Sequence, residues 1–281
     1  MKLRIATCRP LPEPDVDEDL LLDALQRAGV DARMVAWHEP AQWRSAEPTI
    51  VRSTWDYIHD LPAFTAWVGQ VAAAAPLWNP AAVMLANLHK SYLLELAARG
   101  VPVTPTLLLE RGSHATIASL CAARGWDDVV IKPAVGAGSF ETHRESASSA
   151  AAQDVCRRLL VERDVLIQPY LHSVEGHGER ALVWIDGEFT HAVRKTPRFA
   201  GGVELVSEAL PVSPAERAVG EAALAPFTSD LLYARVDVAP GPDGNPVVME
   251  LELVEPSLFL LQSPPALQRF VEGVVRRLSR R

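Results

Sequence analysis

The chain has 281 residues and a formal charge of −8, from 27 Lys and Arg against 35 Asp and Glu. A hydrophobic share of 48% and a charged share of 22% are those of an ordinary globular protein, with chain enough for one large or two to three small domains. The acidic balance argues against a nucleic-acid partner, which needs clustered Lys and Arg. The single basic cluster, Arg276-Arg277-Leu278-Ser279-Arg280-Arg281, reads as the solvated end of a helix. No apolar run approaches the roughly 18 residues of a membrane span. Cys8, Cys121 and Cys156 lie far apart and form no Cys-x-x-Cys pair, as expected of reduced thiols in a cytoplasmic protein. The first residues lack a signal-peptide core.

In chain order, Leu3 to Cys8 reads as a strand and Asp17 to Ala28 as an amphipathic helix stopped by Gly29. Val30 to Trp37 and Thr49 to Ser53 are further strands. Asp60 can cap a helix with Pro62 in its first turn. This alternation predicts a small parallel sheet. Its first turn holds no Gly-x-Gly-x-x-Gly, so a dinucleotide-binding dehydrogenase has no support. A second unit has a helix from Lys90 to Arg99, a strand at Thr106–Leu109, a helix at Ala115–Arg124, and a strand at Val129–Lys132. An alanine-rich helix to Glu162 and the strand Val165–Gln168 follow. The remainder is strand-rich: Arg180–Ile185 and Glu188–Arg194 flank Asp186-Gly187, a hairpin turn. A helix from Pro214, a second hairpin, and a helix from Pro265 to Arg280 complete the chain. The expected domains are 1–86, 87–168 and 169–281.

The second hairpin carries the chemistry. Ala234-Arg235-Val236-Asp237-Val238 and Val248-Met249-Glu250-Leu251-Glu252-Leu253 alternate apolar and charged residues across a Pro- and Gly-rich turn. Residues two apart on a strand share a face, so Asp237, Glu250 and Glu252 face the same way. Hard carboxylate oxygens suit Mg²⁺, usually shared with nucleotide phosphates; Mn²⁺ is the alternative. Lys132 ends an apolar strand before a loop holding Gly136, Gly138 and Ser139, where backbone N–H groups can approach phosphate oxygens. Walker spacing is absent. Lys90 opens a helix. Gln168, Pro169, Tyr170 and Leu171 continue an apolar strand whose backbone suits an adenine edge, and Glu179 suits ribose hydroxyls. Arg194 and Lys195 end a strand and could neutralise a phosphoryl group.

In this order the residues resemble the ATP-grasp superfamily over Asn79 to Pro256. The spacing of Asp237, Glu250 and Glu252 is similar to that of D-alanine–D-alanine ligases, and Gly-Glu-Arg…Ile-Asp-Gly-Glu…Val-Arg-Lys to that of bacterial glutathione synthetases. Ser53-Thr54-Trp55-Asp56-Tyr57 and Glu252-Leu253-Val254-Glu255-Pro256-Ser257 look most like the small group of cycloserine-forming cyclo-ligases. Glu252 departs from the Asn usual at the last metal position.

The resemblance implies an α/β (α+β) fold with an N-terminal parallel-sheet domain and two subdomains holding ATP. It implies an ATP-dependent carboxylate–amine ligase that makes an acyl-phosphate of a small amino-acid-like substrate and releases ADP. Arg194, Lys195 and Arg235 would be catalytic. Arg9, Arg52, Ser53, Thr54, Trp55, Asp56, Tyr57, Glu255 and Ser257 are the candidate substrate residues, because most follow strand ends where open α/β sheets bind ligands. Arg198 to Val203 reads as a loop that closes over the site. A homodimer is compatible with the sequence. The rival reading is a non-catalytic nucleotide-binding or regulatory protein on the same fold.

Overall fold

The computed structural model describes residues 1–197, 205–227 and 231–280. Three four-stranded sheets carry it, each drawn from its own stretch of chain. β1 (Lys2–Thr7), β2 (Asp31–Ala36), β3 (Thr49–Val51) and β4 (Leu77–Trp78) form a parallel sheet in the order β2-β1-β3-β4. α1 (Glu18–Arg27) lays Leu21 and Leu25 against Leu3, Ile5 and Ile50 on one face. α2 (Leu61–Ala74) covers the other with Phe64, Trp67 and Val71. Asp60 caps α2 as its position predicts, accepting from the Ala63 amide at 3.0 Å.

α3 (Ala81–Asn87) and α4 (Tyr92–Ala98) lead to the second sheet. It is antiparallel, in the order β5-β8-β6-β7, from β5 (Leu107–Leu109), β6 (Asp128–Pro133), β7 (His143–Ser146) and β8 (Val165–Pro169). α5 (Ile117–Ala122) and α6 (Ala150–Leu160) pack on its outer face. β7 has no apolar alternation, so its sequence does not mark it as a strand; it pairs as an edge of β6.

The short α7 (Ser173–Gly176) precedes the third sheet, β10-β9-β11-β12, also antiparallel. Its strands are β9 (Glu179–Ile185), β10 (Glu188–Lys195), β11 (Tyr233–Pro240) and β12 (Pro246–Glu252). α8 (Pro214–Leu224) and α4 cover one face. α9 (Pro264–Ser279) fills the other with Phe270, Val274 and Leu278, which also meet α1 and the first sheet. At the β9–β10 turn both Asp186 and Gly187 have positive φ, 45° and 100°, as a two-residue primed turn requires. Arg277 Nη1 donates to Asp186 at 2.6 Å, and Arg276 pairs with the same carboxylate. The terminal basic cluster, expected to be solvated, is therefore partly a clasp on this hairpin.

Among the described residues β12 pairs with no further strand on its outer side: the backbone around Val103 bridges Val248, and side chains from the first half of the chain take the remaining places. Asn87 Nδ2 donates to Leu251 O at 2.9 Å, and its Oδ1 accepts from the Leu253 amide at 2.8 Å. The Tyr92 hydroxyl accepts from the Leu251 amide at 3.0 Å. Asn79, fully buried, donates to Leu253 O at 2.8 Å and Tyr233 O at 2.9 Å, and accepts from the Leu232 amide at 2.8 Å. Farther on, Arg52 donates to Pro256 O at 2.6 Å, Trp55 Nε1 to Glu255 O at 3.0 Å, and Asp17 accepts from the Leu260 and Leu261 amides at 3.0 Å.

These contacts make Asn79 a keystone. Replacing it with Ala leaves buried backbone groups of Leu232, Tyr233 and Leu253 unpaired, each costing about 1–3 kcal/mol. Asn79→Ala should lower unfolding free energy by about 3 kcal/mol in urea titration; a loss under about 0.5 kcal/mol would show that β11 and β12 are held elsewhere.

Candidate active site

A cleft of about 820 Å³ opens between the three sheets. Its floor is the β11–β12 hairpin. Asp237 stands directly opposite Glu250, and Arg235 opposite Glu252, so the strand parity expected from the sequence holds in the register. A shift in pairing follows Asp237. The carboxylates meet a matching set of cations. Arg235 holds Asp237 with two bonds, Nε to Oδ1 at 2.8 Å and Nη2 to Oδ2 at 2.9 Å, and reaches Glu252 at 2.5 Å. Lys195 lies 2.9 Å from Asp237 and 2.5 Å from Glu179. Lys132 pairs with Glu250, whose other oxygen lies 3.5 Å from Lys90.

The electrostatics follow from these pairs. Burial works against ionisation of Glu250, but Lys132 and Lys90 override it and hold the carboxyl at about 2. Burial is likewise overridden at Asp237, where Arg235 and Lys195 hold the carboxyl well below its usual range. At Glu179 burial wins: the carboxyl is pushed up to about 7 despite Lys195. Glu252 is raised by burial against the pull of Arg235. Glu255 is raised to about 7 by burial and then by the charge of Glu252.

Hard oxygens from Asp237, Glu250 and Glu252 on one face suit Mg²⁺. Among the described residues, however, no three acidic, histidine or cysteine side chains converge as a ready-made metal cage. The three acids are spread across ion pairs instead. This fits a cation whose remaining ligands are phosphate oxygens and water rather than protein alone.

The roof is the second sheet. Lys132 ends β6, and Gly136, Gly138 and Ser139 follow in a loop along the cleft. Gly138 and Ser139 have φ of +57° and +59°, which glycine tolerates at the first position. Lys90 Nζ donates to Gly136 O at 2.9 Å, tying this loop to the start of α4. Gln168, Pro169, Tyr170 and Leu171 line the inner end with Val130, Val174 and Met249, an apolar slot suited to a flat ring. The Tyr170 amide is already committed to Asp128 O at 2.8 Å, and the ring lies 3.6 Å under the Arg144 guanidinium.

The first sheet contributes Trp55, Asp56 and Tyr57 to the cleft wall, with Glu255 and Ser257 beside them. The structure does not bring all the expected residues together. Arg194 is exposed and opens onto a separate surface hollow with His177 and Arg180, because adjacent residues of β10 point to opposite faces and Lys195 takes the inner one. Arg9 is turned outward and pairs with Glu18 at 2.5 Å. Arg52 is fully buried, holding Pro256 O; Ser53 bonds the Thr7 hydroxyl at 3.1 Å; Thr54 is buried off the cleft. Arg52 thus joins sheet to floor and Ser53 bonds within the first sheet, while the Thr54 hydroxyl is buried without a hydrogen-bond partner among the described residues. Arg198 to Val203 lies outside the described residues. Conversely, Asn87, Tyr92 and Met249 line the cleft without having been singled out. The available signal was Asn87, three residues ahead of Lys90.

Comparison with known proteins agrees with this geometry. Residues 3–79 match the family described as the N-terminal domain of D-cycloserine synthetase DcsG. Cycloserine biosynthesis protein DcsG of Streptomyces lavendulae is 34% identical over 282 residues, covering 94% of each chain. The crystal structure of D-cycloserine synthetase DcsG superposes with a TM-score of 0.92 at 33% identity, covering 99% of this chain and 100% of that one. The ATP-grasp ligase PsnB complexed with minimal precursor, Mg and ADP superposes at 0.64 with 18% identity, covering 99% and 98%. That neighbour's structure holds Mg and ADP. Among the described residues no helix is long and apolar enough to cross a membrane. With a curated relative matched along nearly its whole length, and a floor, roof and apolar slot laid out as in the ATP-grasp fold, the chain belongs to the DcsG family of ATP-grasp ligases and is an enzyme of that class.

Proposed function

We propose that this enzyme phosphorylates the carboxylate of a small amino-acid-like substrate with ATP and captures the acyl-phosphate with a nitrogen nucleophile, forming an amide or closing a ring. The observation that carries this reading is the convergence of Lys90, Lys132, Lys195 and Arg235 on Asp237, Glu250 and Glu252 beside the polar-aromatic wall of Trp55, Asp56 and Tyr57. The three sheets support a division of labour: 1–86 for the substrate, 87–168 and 169–281 for the nucleotide.

The chemistry demands such a set. A carboxylate is a poor acyl donor until a phosphate makes its oxygen a leaving group. Val130, Tyr170, Leu171 and Met249 would hold the adenine ring, and Lys90, Lys132 and the Gly136–Ser139 loop the phosphates. Asp237, Glu250 and Glu252 would hold Mg²⁺ in place of some protein cations; bound there, Mg²⁺ spreads the charge of the transferring phosphoryl group. Lys195 and Arg235 would neutralise that group from the floor, with Glu179 keeping Lys195 in place. Trp55, Asp56, Tyr57, Glu255 and Ser257 would surround the amino acid. Cycloserine, the product in the relatives' names, is an amide ring joining a carboxyl carbon to an aminooxy nitrogen. Its ring-opened acid, O-aminoserine, is therefore the first substrate to test here, and ring closure the first outcome to look for.

With carboxyl-¹⁸O-labelled O-aminoserine, ADP and phosphate should form in equal amount with product, and one label should leave in the phosphate. AMP as the nucleotide product, or unlabelled phosphate during coupled turnover, would remove the acyl-phosphate step.

The phosphate contacts have a defined size. Lys132→Ala deletes a charge-assisted bond of about 1.5–3 kcal/mol, or roughly 10- to 150-fold in ATP affinity. Lys90 still balances Glu250 in this variant, so the melting temperature without nucleotide should stay near wild type. Unchanged ATP affinity by calorimetry would place the phosphates elsewhere.

The neighbours on β10 give a sharper comparison. Lys195→Met should lower kcat/KM by at least about 100-fold, the scale of one lost transition-state cation. Arg194→Met, on the opposite face, should stay within about twofold, as a surface change remote from the phosphates does. Equal losses in both would contradict the strand parity on which the assignment rests.

A further inference from the structure

We propose that Glu255 takes the proton of the attacking nitrogen, an assignment that rests on the ligase reading above and names the residue that serves its second half-reaction. The argument starts from the pairing of charges in the cleft. Glu250 contacts Lys132 and Lys90, Glu252 contacts Arg235, Asp237 contacts Arg235 and Lys195, and Glu179 contacts Lys195. Glu255 lines the same cleft at 8% exposure, yet among the described residues no cation lies within ion-pair distance of its carboxylate. The Tyr57 hydroxyl, on a side chain at 4% exposure, interacts with this carboxyl, and Lys90 acts on it from beyond ion-pair distance. Its main chain is fixed on both sides: Trp55 Nε1 donates to Glu255 O at 3.0 Å, and Arg52 donates to Pro256 O at 2.6 Å.

A buried carboxylate without a cation is unfavourable unless a donor reaches it. The groups that enter this cleft narrow the choice. Nucleotide phosphates and a substrate carboxylate are anions and belong beside Lys132, Lys195 and Arg235. The remaining reactant, the nitrogen nucleophile, carries N–H donors. It fits the Glu255–Tyr57 corner, with Trp55 and Asp56 on the same wall. The step then balances. The lone pair of a neutral –NH₂ attacks the acyl carbon, the C–N bond forms, and the C–O bond to phosphate breaks. Inorganic phosphate departs, and the proton shed by nitrogen passes to the Glu255 carboxylate and on to solvent. Tyr57 acts as a positioning residue by holding one carboxylate oxygen, leaving the other toward the nitrogen.

The test separates the half-reactions. Wild-type enzyme, Glu255→Gln and Tyr57→Phe are each given ATP, Mg²⁺ and O-aminoserine, with and without hydroxylamine to trap acyl-phosphate as a hydroxamate. Glu255→Gln should keep ATP-dependent hydroxamate formation within about threefold and lose product formation by roughly 100-fold or more, the usual worth of a positioned general base. Tyr57→Phe should lower kcat for product roughly tenfold with a smaller effect on KM for O-aminoserine, a loss below that range because the base itself remains. Product formation by Glu255→Gln at the wild-type rate overturns the assignment, as does loss of hydroxamate together with product, which would put Glu255 in the phosphoryl-transfer half. A wild-type enzyme that forms neither hydroxamate nor ADP with O-aminoserine overturns the ligase reading for this acid, and this inference with it. A wild-type enzyme that turns over beside an unimpaired Glu255→Gln overturns this inference alone.

Discussion

Everything in the cleft depends on an edge strand that, past a backbone bridge at Val248, is finished by side chains instead of by another strand. β12 and the segment after it carry Glu250, Glu252 and Glu255, and an exposed strand edge presents backbone groups that must be satisfied. Here Asn87, Tyr92 and Asn79 satisfy them, and Arg52, Trp55 and Asp17 do the same for the residues beyond. A further strand would have supplied the same bonds but walled off the site. Side-chain caps leave the floor open to ligand and fix it to the first sheet at once.

The charge pattern follows from the same geometry. Acids packed this closely on an apolar hairpin repel one another unless cations enter, and Lys90, Lys132, Lys195 and Arg235 do so from four different stretches of the chain. The result is a surface of paired charges in which each partner is held by its opposite. Phosphates and a divalent cation can exchange into such a set by replacing one partner at a time, which spares the enzyme from baring several like charges at once. Glu255 stands outside this pairing.

How much of this the sequence conveyed depended on whether the decisive partner lay close by in the chain. The β11–β12 hairpin was legible because alternation and turn chemistry are local, and its register put Asp237 and Glu250 opposite each other. Lys132 before its glycine loop was legible for the same reason. The polar run from Arg52 to Tyr57 divided at Thr54: Arg52 and Ser53 bond to the last and first parts of the chain, Thr54 is buried off the cleft, and only the next three face it. Nothing local marks that division, since Arg52 and Pro256 are 204 positions apart. Arg194 and Lys195 show a finer limit. Both are cations at a strand end, and only the true register decides which one faces inward. Asn79 and Asn87, each bonding across more than 150 positions, read as ordinary loop and helix-end residues until the fold places them.

The seat of α9 between the first and third sheets has a consequence for synthesis. Leu3, Ile5 and Ile50 share one hydrophobic cluster with Phe270, Val274 and Leu278. A ribosome adding roughly 5–20 residues per second needs on the order of 10–45 s to pass from Ile50 to Val274. During that interval the first sheet has α1 on this face but lacks its last cover. The nascent chain thus carries an apolar surface for much of its time on the ribosome, and that surface is what a chaperone would meet first.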